Sequence, residues 1–159
     1  MIRMNRRTFL FSGAAAACTL GVSGPAQAQR AFPFRLSDAQ WRRRLSPAAY
    51  AVLRKHNTER PGSSPLDREK RRGTFHCAGC NHRLFASATK FDSGTGWPSF
   101  WRPLPGAIGT MADRSLGEAR TEVHCANCGG HLGHVFNDGP KPTGLRYCMN
   151  GVAMTFRAG

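Results

Sequence analysis

The stretch that decides the fold covers residues 122–136 and reads EVHCANCGGHLGHVF. Two strand-like pieces, residues 122–124 and 134–136, lie on either side of a Cys-x-x-Cys knuckle. Two glycines follow the knuckle directly, and glycine suits the tight turn that wraps a metal ion. The stretch therefore predicts a strand, a metal-binding turn and a second strand in direct succession.

An earlier knuckle has the same spacing, so the chain offers four paired cysteines: Cys77, Cys80, Cys125 and Cys128. Two thiolates of one tight turn can reach the same zinc ion, and four thiolates complete its tetrahedral coordination without leaving a position for water. We therefore predict a structural Zn²⁺ site that ties together two distant segments. The alternatives are a pair of disulfides in an oxidising compartment and redox activity of the Cys-x-x-Cys pairs themselves.

Cys148 belongs to neither knuckle. Cys18 lies in a predicted N-terminal export signal, so Cys148 is the fifth and unpaired cysteine of the mature chain. An odd cysteine in an exported protein indicates a free or reactive thiol, with an inert buried cysteine as the alternative. Residues 147–156 have the pattern of one final strand, and side chains alternate along a strand. Cys148 and Asn150 are therefore expected on one face, at the polar end of an apolar row.

The rest of the chain predicts a mainly β domain over residues 29–159. The full chain has 18 glycines and 10 prolines, which favour short strands over long helices. Ser37 and the pair Ser46-Pro47 are helix start signals, which predict one or two short helices between residues 37 and 57. Further strands are predicted at residues 74–76 and 83–85.

The first 28 residues have the features of an export signal. Arg6-Arg7 precede the uncharged stretch 11–22, and Ala26-Gln27-Ala28 forms a small-residue cleavage site. The stretch is shorter than the about 20 apolar residues of a membrane span, so no stable anchor is expected after cleavage. The paired arginines resemble a twin-arginine signal, with an ordinary secretory signal as the alternative, and predict a periplasmic or otherwise exported protein.

The net charge of the chain is +14. Nucleic acid or an anionic membrane surface could bind such a chain. Its basic residues are scattered, however, and no row of aromatic side chains interleaves with them as a base-stacking platform requires. We expect a solvated basic surface and no nucleic acid partner, although a non-enzymatic zinc module that binds a protein or nucleic acid remains the second hypothesis.

His131 and His134 are separated by Leu132-Gly133. A straight strand would place the two imidazoles on opposite faces, but Gly133 permits a bulge that brings them together. They are candidates for metal ligands, for surface histidines or for an acid/base pair near Cys148.

Three segments together resemble the B-type methionine sulfoxide reductases: FDSGTGWPSF at 91–100, HLGHVF at 131–136 and RYCMN at 146–150. The resemblance covers about residues 37–157 in order, and the knuckles match the zinc-binding subgroup of that family. It implies two antiparallel sheets with short N-terminal helices and a four-cysteine zinc site. It also implies thiol-dependent reduction of methionine (R)-sulfoxide in peptides or proteins, a repair of oxidative damage.

The resemblance also assigns roles to single residues. Cys148 corresponds to the nucleophile, which is left as a sulfenic acid, and Trp97 to the indole that packs on the substrate methyl group. The other catalytic positions are His131, His134, Asn150, Arg146 and Asp138, and Phe136 is a second substrate-binding position.

The chain departs from the family at residue 95. Many members carry a second, resolving cysteine where this chain has Thr95. The sulfenic acid therefore cannot close an internal disulfide in the usual way, and we expect recycling by an external thiol or a thioredoxin-like reductant.

Overall fold

The structure is a computed structural model that describes residues 32–115, 117 and 119–159. Residues Ala31–Gly159 form one compact unit. The predicted export signal, residues 1–28, lies outside the described residues and stays a prediction. Within the described part of the chain, no helix combines the length and the apolar character that crossing a bilayer requires.

Two short helices open the domain, as predicted for residues 37–57. Helix α1, Asp38–Arg44, begins with a capping box in which Ser37 and Gln40 exchange side-chain to backbone hydrogen bonds. Helix α2, Pro47–Lys55, begins where the Ser46 hydroxyl accepts a hydrogen bond from the backbone of the first turn, with proline at its first position. The buried side chains of the two helices are Trp41, Ala49, Tyr50, Val52 and Leu53.

The strands form two antiparallel sheets, which confirms the predicted fold class. The smaller sheet has the order β2-β1-β9 and consists of β1 Gly73–Cys77, β2 Arg83–Ala86 and β9 Met154–Ala158. The larger sheet has the order β3-β4-β8-β7-β6-β5. Its strands are β3 Lys90–Phe91, β4 Ser99–Phe100, β5 Ile108–Asp113, β6 Arg120–Cys125, β7 His131–Phe136 and β8 Arg146–Met149.

An aromatic cluster joins the two sheets in the core. The ring of Phe100 on β4 stacks on Phe85 of β2 at 4.3 Å between centroids and meets Phe75 of β1 edge-on at 4.9 Å. All three side chains are fully buried. Aromatic pairs of this geometry contribute about 1 kcal/mol each beyond the area they bury, so the cluster fixes the position of one sheet relative to the other.

The prediction of one final strand over residues 147–156 is wrong. Strand β8 ends at Met149, a 3₁₀ turn covers Gly151–Ala153, and β9 continues in the other sheet. The cause is Glu59, whose carboxylate accepts hydrogen bonds from the backbone amides of Gly151 and Val152. Amides bound in this way cannot join a strand ladder, so the chain turns immediately after the segment that carries Cys148.

Strand β5 was not among the predicted strands. It lies at an edge of the larger sheet, and residues 110–112 on it are exposed, so it lacks the apolar alternation of a half-buried strand. Met111 on this strand is 54 % exposed, whereas Met149 and Met154 are buried.

Candidate active site and metal centre

The two cysteine knuckles adopt the same turn. Cys77 ends β1 and Cys125 ends β6. In each knuckle the backbone amide four residues later donates to the carbonyl of the first cysteine, from Asn81 at 2.8 Å and from Gly129 at 2.9 Å. Both donors have left-handed backbone, with φ of 62° and 68°. Glycine adopts this conformation without cost and asparagine at little cost, so the local sequence supports both turns.

The four knuckle sulfurs form a compact cluster. Cys77 Sγ lies 3.7 Å from Cys128 Sγ, Cys80 Sγ lies 3.6 Å from Cys125 Sγ, and all four sulfurs lie within 4.8 Å of one another. These separations are too long for disulfides, whose S–S bond is about 2.05 Å. A tetrahedral zinc site with Zn–S bonds of about 2.3 Å has S–S edges of about 3.8 Å. The cysteines therefore fit the predicted four-coordinate metal site, which links the two sheets.

Cys148 lies at the wall of a cavity of about 140 Å³. On β8 it is paired with His134 of β7 on one side and with Ser99 of β4 on the other. The cavity lining brings together five of the predicted site residues with three others: Cys148, His134, Asn150, Trp97 and Phe136, then Thr58, Arg120 and Gly133. His131, Arg146 and Asp138 are not among the residues that line the cavity.

Arg146 is held close to Cys148 by two contacts. Its guanidinium donates to both carboxylate oxygens of Asp138, at 2.8 and 2.7 Å, and lies 4.4 Å above the ring of Phe136. Burial raises the pKa of the Cys148 thiol above its ordinary value, while hydrogen bonding from Thr95 and the charge of Arg146 act in the opposite direction. Asp138 is thus a partner of Arg146, not a group that faces the cavity.

The two histidines do come together, as a bulge at this position predicts. Strand β6 advances one residue where β7 advances two, so Leu132 is the extra residue, and the imidazole centroids of His131 and His134 lie 5.4 Å apart. His131 Nδ1 lies 2.6 Å from Glu122 Oε1, and His134 Nε2 lies 2.7 Å from Asp113 Oδ2. Opposite ring nitrogens are therefore engaged, which leaves Nε2 of His131 and Nδ1 of His134 for other partners.

The carboxylates and the histidines influence one another's charge. Burial raises the pKa of Glu122, but the hydrogen bond from His131 and the neighbouring imidazoles outweigh it and lower the pKa below the usual range. Burial lowers the pKa of His134 despite its contact with Asp113. The Nε2 atom of His131 is buried and has no hydrogen-bond partner among the described residues.

Asn150 and Trp97 are both oriented by Glu59. The Asn150 side-chain amide donates to the carbonyl of Leu132 at 3.0 Å and accepts from the backbone amide of Glu59 at 2.9 Å. The Trp97 indole donates to the carbonyl of Glu59 at 3.1 Å. One residue of the loop after α2 therefore positions the amide and the indole of the cavity.

The family model described as the SelR domain matches residues 45–158, which include both knuckles and the whole lining of the cavity. The chain belongs to the SelR domain family. Its curated relatives include proteins named peptide methionine sulfoxide reductase MsrB. The protein from Agrobacterium fabrum is 55 % identical over 121 residues, 76 % of this chain and 90 % of the relative. The protein from Bradyrhizobium diazoefficiens is 57 % identical over 119 residues, which are 74 % of this chain and 86 % of the relative. The protein from Leptospira interrogans is 48 % identical over 122 residues, which are 76 % of this chain and 93 % of the relative.

Five residues that contribute to the site of this SelR domain were not predicted from the sequence: Thr58 and Arg120 of the cavity lining, and the acidic residues Glu59, Asp113 and Glu122. Asp113 and Glu122 hold His134 and His131 through their carboxylates. Glu59 instead donates its backbone amide to the Asn150 side chain, while its carboxylate accepts from the backbone amides of Gly151 and Val152. Glu59 and Asn150 are 91 positions apart, so no short sequence motif contains both residues. The position of Glu122 inside a strand otherwise directed to the core was the one available signal, since a carboxylate there needs a partner.

Proposed function

We propose that this SelR domain reduces methionine (R)-sulfoxide in peptides or proteins to methionine, with Cys148 as the reacting thiol, and thereby repairs oxidative damage. The observation that carries the proposal is the juxtaposition of Cys148 with His134 across paired strands, at a cavity that the indole of Trp97 also lines. The shared ancestry with proteins named peptide methionine sulfoxide reductase supports the reaction class.

The chemistry follows from these residue types. The thiolate of Cys148 forms a bond to the sulfoxide sulfur while the sulfoxide oxygen takes up a proton. The imidazole of His134, paired with Cys148 across the strands, is the candidate proton donor at the cavity, and His131 lies beside it. Overall, the oxygen is transferred to Cys148, whose sulfur loses two electrons and becomes a sulfenic acid. The methionine sulfur gains the two electrons and leaves as a thioether.

The cavity suits a small side chain that has an apolar end and a polar oxygen. Trp97 and Phe136 supply apolar surface for the methyl and methylene groups, as expected from their predicted role. Asn150 and His134 supply polar groups to the same cavity. A site that combines apolar walls with a few fixed polar groups selects the orientation of its ligand, which is the requirement for choosing one sulfoxide epimer.

Recycling requires a reductant from outside the chain. The residue within reach of Cys148 at the resolving position is Thr95, whose hydroxyl lies 3.8 Å from Cys148 Sγ. An external thiol condenses with the sulfenic acid, releases water and forms a mixed disulfide, and a second thiol then regenerates Cys148. We propose a thioredoxin-like protein or a small thiol in this role.

Zn²⁺ is the metal that we assign to the cysteine cluster. Four thiolates in tetrahedral arrangement favour zinc among the common metal ions. Such a site supplies folding energy and no open coordination position, so all steps of the reaction occur at Cys148.

The test compares the wild type with Cys148→Ser on a peptide that contains either sulfoxide epimer, with dithiothreitol as reductant. We expect the wild type to reduce only the R epimer and Cys148→Ser to be inactive with unchanged metal content and circular dichroism, because serine is a poor nucleophile at neutral pH. Metal-loaded wild type without activity on either epimer would instead support the non-enzymatic zinc module.

Export through the twin-arginine route is a separate proposal, supported by Arg6-Arg7 ahead of the uncharged stretch. Arg6→Lys combined with Arg7→Lys should retain the precursor in the cytoplasm, as measured by cell fractionation and immunoblotting. Unchanged export of the double variant would favour the general secretory route.

A further inference from the structure

The sulfur of Cys148 is the end point of a chain of three hydroxyl groups. Thr95 Oγ1 lies 3.8 Å from Cys148 Sγ, Ser93 Oγ lies 2.8 Å from Thr95 Oγ1, and Ser99 Oγ lies 2.7 Å from Ser93 Oγ. At its far end the Ser99 hydroxyl lies 3.1 Å from the carbonyl oxygen of Trp97. Ser99 is fully buried, and its partner in the strand ladder is Cys148.

We infer that Ser99, Ser93 and Thr95 form a reversible hydroxyl relay that holds a hydrogen bond on the Cys148 sulfur in both the thiol and the thiolate state. This inference depends on the proposed function only in taking Cys148 as the reacting thiol.

Counting hydrogens gives two complete arrangements. When Cys148 is a thiol, its S–H donates to Thr95, Thr95 donates to Ser93, Ser93 to Ser99, and Ser99 to the Trp97 carbonyl. When Cys148 is a thiolate, the direction reverses: Ser99 donates to Ser93, Ser93 to Thr95, and Thr95 to the sulfur. A hydroxyl has one hydrogen and can rotate it between partners, so each reversal requires rotation about C–O bonds and no movement of heavy atoms.

The thiolate arrangement stabilises the charge on sulfur. Each hydroxyl then donates to the next group along the chain that ends at Cys148, and hydrogen bonds aligned in one direction polarise and strengthen one another. The hydrogen bond to an anion is also the strong kind. In this arrangement the carbonyl oxygen of Trp97, at the far end, no longer accepts a hydrogen bond from Ser99.

The relay complements the charged groups around Cys148. Arg146 lies two residues away on the same strand, with Asp138 bound to its guanidinium, and His134 faces Cys148 from β7. The hydroxyls approach from the β4 side of Cys148: Ser99 lies on β4, and Ser93 and Thr95 lie on the segment between β3 and β4. Burial opposes ionisation of Cys148, whereas hydrogen bonding by Thr95 and the charge of Arg146 favour it. Thr95 thus supplies a hydrogen-bond donor that supports the reacting thiolate.

The experiment measures the pH dependence of alkylation of Cys148 by iodoacetamide, followed by mass spectrometry of the metal-loaded full chain. Thr95→Val removes the terminal hydroxyl at nearly constant volume. We expect the midpoint of the profile to move upward by about one pH unit, the scale of one hydrogen bond to a charged group. Below both midpoints the rate should fall by about threefold, since the lower thiolate fraction is partly offset by higher intrinsic nucleophilicity.

Two further variants separate the relay from packing. Thr95→Ser keeps the hydroxyl and should restore the wild-type midpoint, and Ser93→Ala should move the midpoint upward by less than Thr95→Val does. The matched control is Thr110→Val, an exposed threonine on the edge strand β5, which should leave the profile unchanged.

The inference is overturned if Thr95→Val has the wild-type midpoint, or if Thr95→Ser fails to restore it. The alkylation assay contains no methionine sulfoxide, so its outcome is independent of whether the chain reduces that substrate.

Discussion

Gly133 is the point at which β7 and β8 approach too closely for a side chain. A Cβ atom on Gly133 would lie 2.1 Å from the carbonyl oxygen of Cys148 and 3.0 Å from the Cα of Met149. Ordinary carbon–oxygen contacts begin at about 3.3 Å, so Gly133→Ala must move the two strands apart by about 1 Å. The backbone φ of 156° adds strain for alanine.

The effect on stability and activity follows from this separation. Loss of one or two ladder hydrogen bonds at about 1 kcal/mol each, with backbone strain of about 1–2 kcal/mol, lowers the free energy of unfolding by about 2–4 kcal/mol. The atom that is pushed belongs to Cys148 itself, and a misplacement of about 1 Å at a reacting group costs about 100-fold in rate. Urea denaturation and the kcat for peptide methionine (R)-sulfoxide with dithiothreitol measure the two effects.

The matched control is Gly106→Ala. Gly106 has φ of 66°, and its added Cβ would meet no atom within 4 Å. It should show the left-handed strain of about 1 kcal/mol alone, with unchanged kcat. Equal stability and equal kcat for Gly133→Ala and Gly106→Ala would refute the close-approach argument.

Three other predictions concern the metal, the thiol and the buried carboxylate. Cys125→Ser should lose bound zinc and melt at a lower temperature, because the energy of a four-thiolate site is folding energy; metal analysis with a thermal melt checks this, and an unchanged melt without zinc would contradict it. Burial raises the pKa of Cys148 and the charge of Arg146 opposes the rise, so kcat/KM should increase with pH above neutrality. Arg146→Met should move that increase to higher pH, and a pH profile that this substitution leaves unchanged would exclude the charge effect. Glu122→Gln should lower kcat by about tenfold or more, since it removes the anion that orients His131, whereas Glu69→Gln, at a carboxylate paired with Arg71, should leave kcat unchanged.

Features encoded in a few adjacent residues could be predicted from the sequence. The caps at Ser37 and Ser46 specify where the helices begin, and the Cys-x-x-Cys spacing specifies turns that converge on a metal. The candidate site could be predicted because whole segments resemble those of a known family. That resemblance identified Cys148 and Trp97 as site residues without information on their positions in space. Spacing alone gave a candidate thiol and left open whether it was reactive or inert.

Features that depend on contacts between distant segments could not be predicted. The final strand was expected to be continuous because residues 147–156 carry a suitable pattern, and the residue that interrupts it, Glu59, is 92 positions from Gly151. The carboxylates behind the two histidines come from β5 and β6, and only the strand order of the folded sheet brings them there. A local pattern contains no information about which side chain a neighbouring strand will present.

The unequal exposure of the methionines determines which of them oxidants can reach in this protein. Met149 and Met154 flank the turn after Cys148, and their burial shields them from the oxidants that create the substrate. Met111, by contrast, is open to solvent on the edge strand. Among the described residues, oxidation of methionine should therefore concentrate on Met111, whereas the two methionines next to the reacting thiol should stay reduced.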